Sequence, residues 1–212
     1  MRQDIDNEIS AMPERINEIA REIADLNSSI RISESQGTAS NDLRDKRDLL
    51  VDELSEYTDV RGVEQSDGTL TVIVGSKVIV EHDSVSEIQS VSSKADQRNI
   101  RKTVIIAEDG TEMIPTQGKI GALVDFRDNV IEEIMNKFDT LAESIVKSIN
   151  FEHENGYGLD GETGKSFFDP AHTKSFNISI SDDIENVSSI AASGDGSKGN
   201  NENAMRLIDL RD

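Results

Sequence analysis

Residues 5–30, IDNEISAMPERINEIAREIADLNSSI, carry the strongest periodic signal in the chain. Their apolar residues follow one another at alternating intervals of four and three, namely Ile5, Ile9, Met12, Ile16, Ile19, Ile23, Leu26 and Ile30. A period of 3.5 residues is typical of a helix that buries one stripe against a neighbour. Pro13 interrupts the pattern, and because proline lacks an amide hydrogen we expect a break or a kink near Met12, or a helix start there. The stretch therefore predicts a long amphipathic helix that ends at the SESQGTASN loop, with Gly37 as the stop signal.

Two further segments repeat this spacing, and an arginine interrupts each apolar stripe. In residues 40–57 the stripe is Leu43, Arg47, Leu50, Leu54 and Tyr57; in residues 118–154 it is Ile120, Val124, Arg127, Ile131, Ile134, Phe138, Leu141 and Ile145. A buried guanidinium must be paired or must reach water. Acids flank both arginines in the sequence. We interpret Arg47 and Arg127 as structural ion pairs that fix helix register, with an anion-binding site as the alternative.

Between residues 60 and 115 the period changes to two, and turn signals such as Ser66-Asp67-Gly68 separate β-rich runs. The stretch SVSEIQSVSSKADQRNIR between them is ambiguous.

The overall prediction is an α+β fold, an elongated bundle of long antiparallel helices with an inserted small antiparallel β-rich domain. We expect residues 1–58 to form the first part of a helical rod domain, 59–116 the β-rich insertion, and 117–212 the second part of the rod. The last part contains a Gly-rich loop, a strand candidate SFNISI, a helix candidate DDIENVSSIAA and a final helix beginning in NENAMRLIDLRD.

The composition restricts the possible partners. The 212 residues include 22 basic and 42 acidic side chains, a net formal charge of −20. Binding to nucleic acid or to an anionic membrane requires a basic surface, so neither is expected as a partner. Aromatic residues make up only 4% of the chain, which argues against an ordinary small-molecule pocket. There is no cysteine, no apolar run long enough to cross a membrane, and no cleavable secretory signal at the start of the sequence.

No motif in the sequence carries convincing chemistry. Gly156, Gly158 and Gly161 spell G-x-G-x-x-G, but they follow a helix rather than a strand, which is the wrong context for a dinucleotide. Gly164-Lys165-Ser166 resembles the end of a P-loop whose first glycine is missing. The histidines His82, His153 and His172 are isolated, and no carboxylate pair stands out among the acids. We therefore predict no catalytic residue, no cofactor site and no metal site, and a protein that is not an enzyme.

Several segments resemble the flagellar hook-associated protein 1 family. They are NDLRDKRDLLVDELSEYTDV, which follows a helix containing EIADLNSSI; GKIGALVDFRDNVIEEIMNKFDTLAESIVKSINFEHENGYGLDGETGKSFFD; and IAASGDGSKGNNENAMRLIDL. The second segment resembles that family's helix that starts at glycine and ends in Asn-x-x-His, followed by a Gly-rich loop with paired phenylalanines. Together these segments cover most of the chain outside residues 60–115.

This resemblance implies a structural protein of the bacterial flagellum, an adaptor at the junction between hook and filament that filament assembly needs. The expected partners are copies of itself, the hook protein, the next hook-associated protein and an export chaperone. The resemblance also implies an extracellular location reached without a cleaved signal peptide, and it identifies the chain as a central fragment lacking both terminal segments. The alternative function is a homodimeric coiled-coil adaptor of another assembly, in which the first helix pairs with its own copy.

Overall fold

The computed structural model describes residues 1–210, so Arg211 and Asp212, at the end of the predicted final helix, lie outside the described residues. The chain divides into two compact units, residues 1–131 and residues 132–212. Helices and antiparallel strands are both present, which confirms the α+β prediction. The three-part division at residues 58 and 116 stays a prediction.

Helix α1, Arg2–Ser35, is the central element of the first unit. Its predicted apolar stripe is buried apart from the half-buried Leu26, and Ile9, Ile16, Ile23 and Ile30 are fully inaccessible to solvent. The helix runs through Pro13 without interruption, so the prediction of a break or a helix start near Met12 is wrong. Pro13 is itself buried, and the packing of a buried ring offsets the amide hydrogen bond that proline cannot make.

Helix α2, Asn41–Tyr57, packs against α1 in the opposite direction. Two ion pairs show the direction, because Glu34 near the end of α1 meets Arg44 near the start of α2, whereas Arg15 meets Glu53 further along. The connecting loop places Gly37 at φ +78°, a left-handed conformation that glycine adopts without strain. The predicted loop is therefore confirmed.

The strands form two antiparallel sheets that lie against α1. The first sheet has the order β1-β2-β3-β4, with β1 at Val60–Glu64, β2 at Leu70–Val74, β3 at Lys77–Glu81 and β4 at Ser84–Val85. The second has the order β5-β6-β7, with β5 at Ile88–Ser92, β6 at Thr103–Ala107 and β7 at Glu112–Met113. The predicted hairpins are confirmed, and the ambiguous polar stretch contributes β4 and β5.

Two asparagines of α1 join the helix to these sheets. The Oδ1 of Asn27 accepts a hydrogen bond from the Leu70 amide at 2.9 Å, and its Nδ2 donates to the Leu70 carbonyl at 2.8 Å. Asn17 makes the same two-way pairing with the amide and carbonyl of Ile88, at 3.0 and 2.9 Å. Each side-chain amide therefore satisfies strand backbone groups that are otherwise unpaired in the interior.

The packing of α1 bears directly on the coiled-coil alternative. A homodimer through this helix requires its isoleucine stripe to face a second copy. In this fold the same stripe is covered by the chain's own strands and helices, so the pairing is not available without unfolding the unit.

The predicted third helix is interrupted. Helix α3 spans Gly118–Asp125, a π-helical segment spans Phe126–Ile131, and α4 spans Glu132–Glu154. Gly118 has φ +67°, and a Cβ there would lie 2.4 Å from the Thr58 amide nitrogen, so the close approach of α3 to the end of α2 requires glycine. A π-helix bonds i→i+5, which breaks the 4–3 repeat that the sequence suggests.

The second unit surrounds one face of α4 with irregular segments. A short 3₁₀ turn at Val187–Ser189 and helix α5, Glu202–Asp209, are its other regular elements within the described residues. The predicted strand SFNISI is wrong, since only an isolated bridge joins Ile180 to Phe168. The helix predicted in DDIENVSSIAA is reduced to the 3₁₀ turn. These segments are held by side-chain hydrogen bonds and by isolated backbone hydrogen bonds, such as that from the Ser181 amide to the Phe167 carbonyl, and not by the regular strand and helix that the sequence predicted.

Candidate assembly surface

The buried face of α4 is largely polar. Asn150 pairs with Phe168 as Asn27 pairs with Leu70, since its Oδ1 accepts from the Phe168 amide and its Nδ2 donates to the Phe168 carbonyl, both at 2.8 Å. About three turns earlier in the stripe of buried positions, Asp139 accepts hydrogen bonds from the amide and hydroxyl of Ser175 at 3.0 and 2.5 Å. Helix α4 therefore holds the irregular segments by pairing with their backbone.

His153 completes this set of contacts. The Ala191 amide donates to Nε2 at 2.9 Å, so Nε2 carries the lone pair and Nδ1 carries the proton. Nδ1 donates that proton to the Lys165 carbonyl at 2.7 Å, and the ring packs against Phe167 with 5.5 Å between centroids. The Asn-x-x-His ending of α4 is thus a structural latch in which the imidazole has no nitrogen left for a metal ion or a substrate.

The glycine motifs also have structural roles. The backbone of Tyr157 pairs in both directions with that of Ser193, and the Gly158 amide donates to the Glu162 carbonyl, which closes a turn. Lys165, the lysine of the P-loop resemblance, contacts Asp160 at 3.1 Å and Glu162 at 2.6 Å. These contacts raise the pKa of Lys165 above its ordinary value, and the largest cause is the hydrogen bond that Lys165 donates to Glu162. Lys165 thus pairs with acids of its own loop, which leaves it unsuited to bind a phosphate as a P-loop lysine does.

Arg47 is buried between α2 and the first sheet. Its Nη1 donates to the Asn27 Oδ1 at 3.1 Å and to the Gly68 carbonyl at 2.8 Å, and its Nη2 lies 3.7 Å from a Glu64 oxygen. Burial is the main cause of a pKa below the ordinary value for this guanidinium. Its neighbours in sequence, Asp45 and Asp48, are exposed. The partners of Arg47 thus come from α1 and the β1–β2 turn.

Arg127 is buried in the π-helical segment and does pair with its sequence neighbour. Its Nε and Nη2 donate to the two carboxylate oxygens of Asp128, both at 2.9 Å. Its Nη1 donates to the Asp6 Oδ1 and to the Thr103 carbonyl, both at 2.7 Å. Protein acceptors bind all three guanidinium nitrogens of Arg127 and the Nη1 of Arg47, whereas the buried Nε of Arg47 has no hydrogen-bond partner. These contacts favour the structural interpretation over an anion-binding site.

One face of α4 remains uncovered and apolar. Ile134, Phe138, Leu141 and Ile145 lie at intervals of four, three and four, and between 40% and 58% of each side chain is exposed. They are the residues that the sequence places on a buried stripe. The buried stripe instead contains Asp139, Ala142 and Val146, each one position later. A row of large exposed apolar side chains at heptad spacing is typical of a surface that packs against another helix.

The charges that border this row are already balanced. Lys137 contacts Glu133 at 2.6 Å and Lys147 contacts Glu143 at 2.7 Å, both one helical turn apart. The hydrogen bond from Lys137 lowers the pKa of Glu133, and those from Lys147 and Lys174 lower the pKa of Glu143. In a chain of net charge −20, this row is therefore a locally neutral apolar strip that can pack without strong repulsion.

Other kinds of site find no support in the described part of the chain. Within residues 1–210, no group of three or more His, Asp or Glu side chains is placed to hold a metal ion. In the same residues, no helix combines the length and the apolar character needed to cross a membrane. The predictions of no catalytic residue and no metal site stay predictions.

The chain is similar to proteins of the flagellum. Residues 1–168 match the family described as "Flagellar hook-associated protein FlgK helical domain". The chain is 30% identical over 161 residues to flagellar hook-associated protein 1 of Salmonella typhimurium, covering 73% of this chain and 29% of that protein. It is 28% identical over 170 residues to the protein of the same name from Escherichia coli K12, covering 76% and 30%.

A solved structure agrees with these similarities. The flagellar hook junction protein FlgK from Burkholderia pseudomallei superposes with a TM-score of 0.66 at 26% identity, covering 79% of this chain and 31% of that one. The chain thus spans less than a third of the length of these relatives. Since the family match extends over most of the chain, the chain belongs to the flagellar hook-associated protein 1 family.

Proposed function

We propose that this chain is part of a structural adaptor at the junction of flagellar hook and filament. The observation that carries the proposal is the family match over residues 1–168. A solved relative described as a hook junction protein supports it. The fold suits a role in packing, because its buried polar groups serve backbone contacts and its prominent exposed feature is an apolar helical row. The names of the relatives describe flagellar components, which supports a role other than catalysis.

The proposal includes partners and a location. The partners are copies of this protein, the hook protein, the next hook-associated protein and an export chaperone. The location is the extracellular flagellum, reached without a cleaved signal peptide. We further propose that the row Ile134, Phe138, Leu141 and Ile145 is buried against a helix when the full-length protein is assembled. Full burial of an apolar side chain of this size contributes roughly 1.5–3 kcal/mol, and covering the part of each side chain that is exposed here contributes a share of that amount.

Deleting the full-length gene tests the junction role. We expect cells that have hooks but no filaments and that release filament subunits into the medium, because nothing would join the two structures. Normal filaments in the deletion strain would overturn the junction role.

Complementation of the same strain tests the α4 row. A full-length gene carrying Phe138→Asp should fail to restore filaments, whereas Leu159→Asp, at an exposed leucine of the Gly-rich loop, should restore them. Circular dichroism of both variants should match the wild type, because both side chains are exposed. Restoration by Phe138→Asp would leave the junction role standing and exclude the row as its assembly surface.

A further inference from the structure

A second apolar surface lies on the first unit, between α1 and α2. A groove of about 510 Å³ opens there, and its lining includes Leu26, Leu49 and Leu50 together with the acids Glu22, Asp25 and Glu53. Leu49 is 68% exposed, on a helix whose other exposed residues are all polar or charged. An exposed leucine beside a concave leucine-lined groove is a feature of helix-binding surfaces.

The size and direction of the groove define the shape of an occupant. It follows two helices that run in opposite directions, and its α2 wall extends from Lys46 to Glu53, about two helical turns or roughly 10 Å. A third helix can lie in such a groove with its side chains between the ridges of the other two. The apolar contact area then accommodates about two side chains at i, i+3 or i+4 spacing.

The charge of the groove selects the chemistry of that helix. Among the described residues, the Asp25 carboxylate has no ion-pair partner, whereas Arg15 contacts Glu53 at 2.6 Å and lies 4.0 Å from Glu22. Lys46 is the one cation in the lining within residues 1–210. Helix α2 adds further exposed acids at Asp45, Asp48, Asp52 and Glu56. The surroundings of the leucines are therefore acidic.

We infer that this groove binds a basic amphipathic helix of another protein, with leucine-type side chains against Leu26, Leu49 and Leu50 and with Lys or Arg facing Asp25 and Glu22. A second copy that presented this same surface is the weaker occupant, because it would bring the exposed acids Asp45, Asp48 and Asp52 against the acids of the groove. The groove is separate from the α4 row, and this inference does not depend on the junction role.

A synthetic helical peptide provides the probe. It is a 14-residue Leu/Lys sequence with leucines at i, i+3, i+4 and i+7, and its binding to the whole chain is measured by fluorescence anisotropy. A second peptide with every Lys replaced by Glu keeps the apolar face and reverses the charge. We expect the basic peptide to bind and the acidic peptide to bind at least about tenfold more weakly. Equal binding of the two peptides, or no binding of the basic one, would overturn the inference.

Substitutions distinguish binding of the peptide in the groove from non-specific electrostatic attraction to an acidic protein. Leu49→Asp adds a negative charge, so long-range attraction alone would tighten binding of the basic peptide, whereas loss of the apolar contact would weaken it. We expect weakening of about tenfold or more. Ile114→Asp, at a 72% exposed position of the same unit, adds the same charge and should leave the affinity within about twofold. Equal affinities for the two variants would overturn the inference.

Two further experiments test the role of charge at the groove and the possibility of self-association. Asp25→Lys should weaken binding of the basic peptide and reduce the salt dependence of its affinity. The substitution removes a carboxylate that attracts the lysines of the peptide and puts a positive charge in its place. Sedimentation of the wild-type chain alone should give a monomer. A dimer that Leu49→Asp dissociates would identify a second copy as the occupant and would overturn the assignment to a basic partner. Unchanged circular dichroism confirms that each variant is folded.

Discussion

The Arg47 guanidinium donates a hydrogen bond to the Asn27 Oδ1 at 3.1 Å, and both side chains are buried. The same Oδ1 accepts from the Leu70 amide, and the Asn27 Nδ2 donates to the carbonyls of Leu70 and His82 at 2.8 and 2.7 Å. Arg47 also holds the Gly68 carbonyl at the β1–β2 turn. Two polar side chains thus join α1, α2 and the first sheet at one point in the interior.

We expect Asn27→Ala to destabilise the first unit by roughly 3 kcal/mol or more, because it leaves the backbone groups of Leu70 and His82 without their side-chain partner, at about 1–3 kcal/mol each. It also removes one of the acceptors of Arg47, which keeps the Gly68 carbonyl. Urea unfolding followed by circular dichroism measures the change. Asn41→Ala, at an exposed residue of α2, is the matched control and should stay within about 0.5 kcal/mol of the wild type. Equal effects at both positions would show that the Asn27 contacts are not stabilising.

Ile23→Asp should unfold the first unit. Ile23 is fully buried in the middle of the α1 stripe, and an unpaired carboxylate there cannot be solvated. The control is Ile32→Asp on the same helix, where 55% of the side chain is exposed. A thermal melt followed by circular dichroism should lose the transition of this unit in Ile23→Asp only, and an unchanged melt would contradict the prediction.

The second unit offers a pair of consecutive residues of α4, one buried and one largely exposed, whose side chains point about 100° apart around the helix. Val146→Ala should lower the free energy of unfolding by roughly 1–3 kcal/mol, because Val146 is buried and its methyl groups leave a cavity. Ile145→Ala should lower it by less than Val146→Ala does, because 40% of Ile145 is exposed and its truncation leaves no closed cavity. Denaturant unfolding of the two variants measures the difference. The reverse order would mean that the sequence-predicted stripe is the buried one.

His153→Ala should loosen the segments that α4 holds. The substitution removes the acceptor for the Ala191 amide and the donor to the Lys165 carbonyl. We expect the Ala191 amide to exchange its hydrogen with solvent at least about tenfold faster, which hydrogen-exchange NMR measures. His172→Ala, at an exposed histidine of the same unit, is the control. Equal protection of the Ala191 amide in both variants would show that His153 does not hold this segment in place.

The pair of Arg127 and Asp128 makes stability depend on pH. Burial by itself raises the pKa of Asp128, but hydrogen bonds from Arg127 and Lys102 outweigh it and hold that pKa below its ordinary value of 3.8. A carboxyl whose pKa is depressed by folding stabilises the fold while it is ionised, so this contribution is present above about pH 5 and is lost as the pH falls through the folded pKa.

Asp128→Asn tests this contribution. The variant should be less stable than the wild type at neutral pH, and the two should converge at acidic pH, where both side chains are neutral. Urea midpoints measured between about pH 2 and pH 7 provide the comparison. A constant difference across that range would show that the ion pair is not the source of the effect.

The first unit illustrates how far local patterns reach. The 4–3 spacing of isoleucines identified α1 and its buried face, and the alternation in residues 60–115 identified the hairpins. Pro13 was misleading, because a proline in a long helix is tolerated where tertiary packing offsets the missing hydrogen bond. The pairings of Asn17 and Asn27 left no periodic signal, since they depend on strands 71 and 43 residues further along the chain.

By itself the sequence determined the positions of α1 and α2, most of the strands and, through the segments that resemble its relatives, the family. The tertiary structure alone decided which face of α4 is buried, because the heptad pattern records apolar spacing but not the partner that covers it. Here Asn150, Asp139 and His153 direct one face toward backbone groups of the irregular segments, and the apolar row one position away remains exposed. Burial is a property of the contacts that a helix makes, and those contacts come from residues distant in the chain.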